Sequence, residues 1–292
     1  MLEKLKKYSG ILKDNKYVIL YSFSERLFFF ITFLIIARKF PADLYGQIVT
    51  VFSLANIFII LFDLGLPILI QKEVAELKER SSVIVSKVIT LFAISFPVYI
   101  ILAILYSKLF FPEISAEVIT LVLLSVYLFS AGNLFNKLLS GLNDFKSQFD
   151  VILKARIPSL ILLITAALFF DAGINLFLII ILISSFIQIL LIFPAIRKHD
   201  ILISFSGFRF KETYYLIKLS LPLGLAVIFN FLYDKIDILL ISKFTDYDQT
   251  AYYNVAYGIY KSAAILFSFL FVSGFTEVSS IKNDKTLLKK FY

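Results

Sequence analysis

Residues 17–38, YVILYSFSERLFFFITFLIIAR, decide the fold class of this chain. This nearly unbroken apolar run has the length of an α-helix that crosses a bilayer. Glu25 and Arg26 interrupt it near its middle. A cation at that depth costs at least ~2.5 kcal/mol on insertion scales, so Arg26 is expected to face a protein interior or a water-filled cavity. The alternative is a purely structural pairing of Arg26 with Glu25 or with a neighbouring helix.

The composition indicates a polytopic membrane protein. Hydrophobic residues make up 60% of the chain, charged residues only 17%, and the mean hydropathy is +0.89, which leaves too little polar surface for a soluble protein of this size. The absence of cysteine excludes disulfides, thiolate catalysis and cysteine-based zinc sites. The lone His199 is predicted to be a solvated loop residue rather than a metal ligand, so no metal site is expected.

Eight apolar segments are long enough to span a membrane, and they predict an all-α protein with about eight transmembrane helices. A β-barrel would instead alternate polar and apolar residues over about ten positions. The lysine-rich residues 1–16 precede the first span, and their spacing predicts a short helix on an anionic membrane surface. The predicted spans are 17–38, 46–70, 88–107, 118–139, 152–170, 174–196, 217–243 and 251–275.

The basic residues alternate between connectors and thereby predict the topology. The formal net charge is +8, but it is dispersed among apolar segments, which favours positive-inside orientation over nucleic-acid binding. Both termini are therefore expected in the cytoplasm, in a multi-pass protein of the plasma membrane. The connectors after even-numbered spans hold Lys72, Lys78, Arg80, Lys87, Lys146, Lys154, Arg156, Arg197, Lys198, Arg209, Lys211 and Lys218, and the others hold only Arg38, Lys39, Lys108 and Lys243.

A weak internal repeat predicts two lobes. Residues 35–40 (IIARKF) resemble residues 239–244 (LLISKF), so the seventh span resembles the first. This places a six-helix N-terminal lobe with its basic lead-in over 1–204, and the first two helices of a second lobe over 205–292. Parallel repeats of this kind are related by an axis along the membrane normal. The second lobe is expected to be incomplete in this chain.

Polar residues at helical spacing predict a central cavity. In the seventh span Asn230, Asp234 and Asp237 share one stripe. The repeat aligns Arg26 with Asn230, so the polar stripes are expected to face each other, with Arg26 and Lys261 near mid-depth. Two of these carboxylates have an alternative role outside the cavity. Asp63 could instead make a contact at the end of its helix, and Asp234 could neutralise a neighbouring charge such as Lys235. The other stripes are Asn254, Tyr257 and Lys261 in the eighth span, and Ser53, Asn56 and Asp63 in the second.

Two long segments resemble the polysaccharide flippases, the Wzx-type branch of the multidrug, oligosaccharidyl-lipid and polysaccharide exporter superfamily. Residues 37–75, ARKFPADLYGQIVTVFSLANIFIILFDLGLPILIQKEVA, are similar to the family's opening, in which Tyr-Gly begins helix two and Asp-x-Gly-Leu ends it. Tyr45-Gly46 and Asp63-Leu64-Gly65-Leu66 match these motifs, and Arg26 matches an arginine that helix one of the family often carries. Residues 219–267 are similar to its helices seven and eight, including the positions of Pro222, Asp237 and Tyr253. The chain is shorter than the family's twelve to fourteen helices.

This resemblance implies a transporter rather than an enzyme, one that flips a lipid-linked oligosaccharide or polysaccharide precursor outward by alternating access. Its implied partners are the lipid bilayer, that substrate and the polysaccharide biosynthesis machinery, with no cofactor beyond a coupling proton or sodium ion. Arg26 and Lys261 are the candidate ligands of an anionic diphosphate headgroup. The candidate cavity or ion-coupling residues are Glu25, Asn56, Asp63, Asn230, Asp234, Asp237, Asn254 and Tyr257.

Two other functions stay open on the residues alone. A cation-coupled drug or metabolite antiporter of the same superfamily would have the same architecture, but its usually cationic substrates favour carboxylates without mid-depth arginine or lysine. An intramembrane prenyltransferase would need paired Asp-rich motifs to hold Mg²⁺ on a diphosphate. One such motif is present, because residues 234–237 carry an aspartate at each end. The other candidate, residues 143–147, lacks the second aspartate.

Overall fold

The computed structural model describes residues 2–76, 81–201 and 210–262, with side chains over 16–76, 82–201 and 214–262. Over these ranges the chain forms nine helices and no strand, which confirms the prediction of an all-α protein. Seven of them are long and apolar enough to cross a membrane, all except α3 and α9. The helices are α1 (Leu2–Lys39), α2 (Ala42–Asp63), α3 (Leu66–Glu76), α4 (Ser81–Phe110), α5 (Ala116–Gly141), α6 (Phe145–Phe169), α7 (Ile174–Arg197) and α8 (Phe210–Phe244), followed by α9, described over 247–262.

The predicted boundary after residue 16 differs from the structure, and the predicted end of the eighth span falls outside the described residues. The lead-in is not a separate surface helix, because α1 runs unbroken from Leu2 to Lys39, and its sequence contains no proline to interrupt it. Only its Lys16–Lys39 part is apolar enough to span a membrane. At the other end of the chain, the predicted eighth span 251–275 lies outside the described residues beyond position 262.

The predicted second span, 46–70, is two helices rather than one. Leu64 (φ 48°) and Gly65 (φ 79°) adopt left-handed backbone conformations that end α2 before α3 begins. The Asp63 carboxylate accepts a hydrogen bond from the Gly65 N–H at 2.9 Å, which closes this turn. Asp63 is therefore placed at a helix end, as its alternative interpretation required.

Helix α5 lies at the centre of the bundle and contacts α2, α3, α4, α6 and α7. Its inward-facing residues, among them Val122, Leu123 and Leu134, are fully or almost fully buried. By contrast, α1 packs mainly on α6 and exposes a stripe of large apolar side chains that includes Leu20, Leu27 and Leu34. An exposed apolar stripe on a helix of spanning length is typical of a surface that contacts lipid.

Helix α2 meets the second half of the chain at both of its ends through glycine. A Cβ atom on Gly46 would lie 1.9 Å from the backbone oxygen of Tyr247, and one on Gly65 would lie 2.5 Å from the backbone nitrogen of Gly224. Only glycine permits backbones to approach this closely. These two contacts position α8 and α9 against α2.

The connector after α5 and the loop after α7 are joined by a hydrogen bond of 2.8 Å between the Nε2 atom of His199 and an Asp144 carboxylate oxygen. His199 is thus half-buried beside a carboxylate rather than a free loop residue. Partial burial opposes ionisation of Asp144, but its hydrogen bonds with His199 and Ser147 hold the pKa of this carboxyl below its usual range. The bond places these two connectors on the same side of the bundle, which the predicted topology requires.

The orientation in the membrane remains a prediction that cysteine labelling can test. The natural chain lacks cysteine, so single cysteines can be placed at Ala116, the first residue of α5, and at Lys146, in the first turn of α6. Both positions are exposed. In intact cells we expect an impermeant thiol reagent to modify Ala116→Cys and to reach Lys146→Cys only after the membrane is broken. The reverse pattern would contradict a cytoplasmic position for both termini.

Candidate functional site

A cavity of about 710 Å³ lies among α1, α2, α5, α7, α8 and α9. Its wall is mainly apolar and includes six phenylalanines. The charged groups on it are three cations and two carboxylates, a formal excess of one positive charge. A mainly apolar pocket with a few polar groups is the common form of a ligand site. The phenylalanines of the wall are Phe29, Phe30, Phe33, Phe52, Phe129 and Phe231, and its charged residues are Glu25, Arg26, Asp234, Lys235 and Lys261.

Arg26 lines this cavity from the middle of the spanning part of α1. Its side chain is exposed rather than packed, and within the described part of the chain no carboxylate oxygen lies within 4.0 Å of it. Adjacent residues on a helix point in different directions, and no ion pair at that distance joins Glu25 to Arg26. Arg26 is therefore a cation with unused hydrogen-bond donors in an aromatic cavity.

Asp234 of α8 has three polar partners. Lys261 of α9 contacts one carboxylate oxygen, the Tyr257 hydroxyl donates to the same oxygen at 2.8 Å, and the Lys235 ammonium lies 3.7 Å from the other. The Lys261 ammonium also lies 5.1 Å from the centre of the Tyr257 ring, within the range of a cation–π interaction. The structure thus brings together Asp234, Tyr257 and Lys261, which the sequence placed on two separate stripes.

Three further predicted residues line the same cavity. The Asn254 amide of α9 donates to the Tyr45 hydroxyl of α2 at 2.6 Å, a bond that crosses between the two halves of the chain. Asn56 donates to the Phe52 carbonyl of its own helix at 2.7 Å. Glu25 is half-buried beside Tyr21.

The other predicted residues lie away from the cavity wall. Asp63 closes the turn after α2. Asp237 accepts a hydrogen bond of 2.6 Å from the Tyr253 hydroxyl, which joins α8 to α9 outside the cavity lining. Asn230 is exposed on α8 and does not face Arg26. The side of α8 that faces the cavity carries Phe231, Asp234 and Lys235 instead.

Arg156 of α6 is a buried cation, although the sequence pattern assigns it to a cytoplasmic connector. It is 2% exposed, and it donates to the Ser184 hydroxyl at 2.9 Å and to the Gln188 amide oxygen at 2.6 Å, both on α7. Its guanidinium lies 4.7 Å from the ring centre of Phe28 and between 5.6 and 5.7 Å from those of two cavity-lining rings, Phe29 and Phe129. Arg156 therefore supports the cavity wall from behind.

A signal for this buried cation is present in the sequence. Arg156 falls inside the predicted span 152–170 rather than before it, and Ser184 and Gln188 are one helical turn apart in α7, the most apolar span of the chain. Polar groups inside such a helix need a partner. The pairing itself requires tertiary information, because the sequence predicts no contact between α6 and α7.

The comparison with protein families identifies a family for this chain. The sequence model of the family described as "Polysaccharide biosynthesis protein" matches residues 11–274, which includes every helix that lines the cavity. Searches of curated proteins and of solved structures found no match. The match confirms the resemblance to the polysaccharide flippases drawn from residues 37–75 and 219–267. This multi-pass membrane protein belongs to the polysaccharide biosynthesis protein family.

Proposed function

We propose that this protein moves a lipid-linked oligosaccharide or polysaccharide precursor from the cytoplasmic to the outer face of the plasma membrane. The observation that carries the proposal is Arg26, a cation without an ion-pair partner among the described residues, facing an aromatic cavity inside the membrane-spanning bundle. Alternating access between the two predicted lobes, 1–204 and 205–292, would present this cavity to each side of the membrane in turn.

A diphosphate-linked lipid has the chemistry that such a site selects. The planar guanidinium of Arg26 offers paired donors that match two phosphate oxygens, and a charge-assisted bond of this type is stronger in a site of low dielectric than in water. A membrane potential that is negative inside also favours outward movement of an anion, by ~2.3 kcal/mol per charge per 100 mV. Both effects act on the headgroup and not on the sugar.

The size and lining of the cavity suit the headgroup and the first sugars rather than a complete polymer. A cavity of about 710 Å³ lies in the range of pockets that enclose drug-sized ligands. Ser53, Asn56 and Asn254 supply hydroxyl and amide groups of the kind that bind sugars, and the aromatic rings of the wall offer faces on which sugars can stack. The lipid chain would stay in the bilayer, and the polysaccharide biosynthesis machinery would supply the substrate.

The charges of the cavity favour this substrate over the two alternatives. A cationic substrate of an antiporter would favour a cavity with an excess of carboxylates, whereas this wall holds three cations and two carboxylates. One of the two carboxylates, Asp234, is already engaged by two lysines and Tyr257. A prenyltransferase would direct Asp234 and Asp237 to a shared Mg²⁺, whereas these residues bind different partners on α9. Glu25 and Asp234 are the candidate carboxylates for coupling to a proton or sodium ion.

A flipping assay with the full-length protein in sealed vesicles tests this proposal. The probe is a short-chain prenyl diphosphate that bears a fluorescent sugar, and it is incorporated into both leaflets. An impermeant quencher added outside removes the fluorescence of the probe in the outer leaflet only. We expect the protein to make the inner-leaflet probe accessible to the quencher, and to leave inaccessible a neutral analogue that lacks the diphosphate. Movement of a lipophilic cation without movement of the diphosphate probe would instead support the antiporter.

A further inference from the structure

Asp234 occupies, between Lys261 and Lys235, the position that an anionic ligand would take. The carboxylate is 18% exposed, whereas the Lys261 side chain is 44% exposed in the wall of the cavity. The partners of this carboxylate are the Lys261 ammonium, the Tyr257 hydroxyl, which donates at 2.8 Å, and the Lys235 ammonium, an ion-pair partner at 3.7 Å. A phosphate oxygen accepts hydrogen bonds from these same donor types.

This arrangement distinguishes Lys261 from Arg26. Arg26 has no carboxylate within 4.0 Å among the described residues, so an arriving anion meets it directly. The charge of Lys261 is already compensated by Asp234, so an anion gains the full attraction of Lys261 only if Lys261 leaves Asp234. Its long, partly exposed side chain can make that exchange without backbone movement. Asp234 therefore competes with an anionic substrate for Lys261.

The same contact determines the charge of the empty cavity. Without Asp234, the two lysines and Arg26 would face a single carboxylate, that of Glu25, in a mainly apolar wall. Uncompensated charges in such surroundings are costly. With Asp234 present, the empty protein carries its own counter-ion. A transporter that works by alternating access must return empty after each release, so this charge compensation acts on the return step.

We propose that Asp234 is an internal counter-anion. Lys261 exchanges it for a substrate phosphate during binding, and while the empty protein returns, Asp234 compensates one of the two lysine charges. This inference rests on the proposed function, because it assigns a role within that transport cycle. It predicts that removal of the Asp234 charge strengthens substrate binding and yet slows net transport.

Net transport and exchange can be separated in the vesicle assay with the fluorescent diphosphate probe. Net transport needs the empty return step, whereas exchange against unlabelled probe in the opposite leaflet does not. For Asp234→Asn we expect about tenfold tighter binding of the probe, since one charged competitor is lost. We also expect exchange to persist while net transport falls by about tenfold. Asp171→Asn, the same substitution at an exposed connector position, should leave all three measurements at the wild-type value.

Further variants keep the proposal open to refutation. Asp234→Glu retains the negative charge and should keep the wild-type ratio of net transport to exchange. Lys261→Gln removes the exchanging cation and should weaken probe binding, with net transport and exchange reduced equally. Weaker binding in Asp234→Asn, an equal loss of exchange and net transport in it, or unaltered binding in Lys261→Gln would overturn the proposal. A wild-type protein that moves no diphosphate probe would refute the proposed function itself.

Discussion

Replacement of Arg26 by alanine should abolish export of the lipid-linked substrate while the protein still folds and inserts. Arg26 lines the cavity without an ion pair among the described residues, so its removal deletes a ligand rather than a structural contact. Loss of a charge-assisted hydrogen bond costs about 1.5–3 kcal/mol, or roughly 10- to 100-fold in affinity for the diphosphate probe. Export in cells and probe binding by the purified protein measure the two effects.

Two variants of the same helix sharpen this prediction. Arg26→Lys keeps the charge but lacks the planar fork, so it should recover only part of the binding and export. Arg38→Ala makes the same substitution at the end of α1, at an exposed position outside the cavity lining, and should export normally. Wild-type export by an abundant Arg26→Ala protein would remove Arg26 from the mechanism, and loss of the protein from the membrane would instead favour a structural role.

Replacement of Gly224 by alanine should separate α8 from the turn between α2 and α3. The added Cβ would lie 2.5 Å from the carbonyl carbon and oxygen of Leu64, and no side-chain rotation relieves a contact with backbone. Overpacking of this kind costs about 1–3 kcal/mol. We expect a lower unfolding temperature, loss of export, and new reactivity of a cysteine placed at Ser220, which is fully buried on the preceding turn.

Gly173→Ala is the matched control for this prediction. A Cβ at Gly173 would meet no atom within 4 Å, so stability and export should be unchanged. The double variant Gly224→Ala/Ser220→Cys can contradict this prediction. If it kept the unfolding temperature of Ser220→Cys alone and its introduced thiol stayed protected from the reagent, the contact would be unnecessary for joining the two halves of the chain.

The spanning helices were predictable because hydropathy is a local property of the sequence. The helix expected over 174–196, for example, is found over Ile174–Arg197. The position of Arg26 on a cavity wall followed from the cost of placing a charge in lipid. The division into lobes 1–204 and 205–292 stays a prediction.

Features that depend on tertiary contacts were not accessible in this way. The break after Asp63 occurs inside a continuous apolar run and forms where Gly65 packs on the backbone of Gly224, far away in sequence. The ion pair of Asp234 with Lys261 joins two helices whose relative rotation the sequence did not define. The sequence pattern counts Arg156 as a topology signal, because nothing local shows that its partners lie on α7.

The close backbone contacts at Gly46 and Gly65 give α2 two points, one near each end, about which the helix could pivot. At ~1.5 Å per residue the two contacts are about 28 Å apart, close to the thickness of the hydrocarbon core. If one contact holds while the other opens by about 5 Å, the helix tilts by only about 10°. A small tilt of α2 about one contact would then open the interface of α2 with α8 and α9 at the other contact, and a tilt about the second contact would open the opposite end. Added bulk at Gly46 should therefore favour the opposite tilt to added bulk at Gly65.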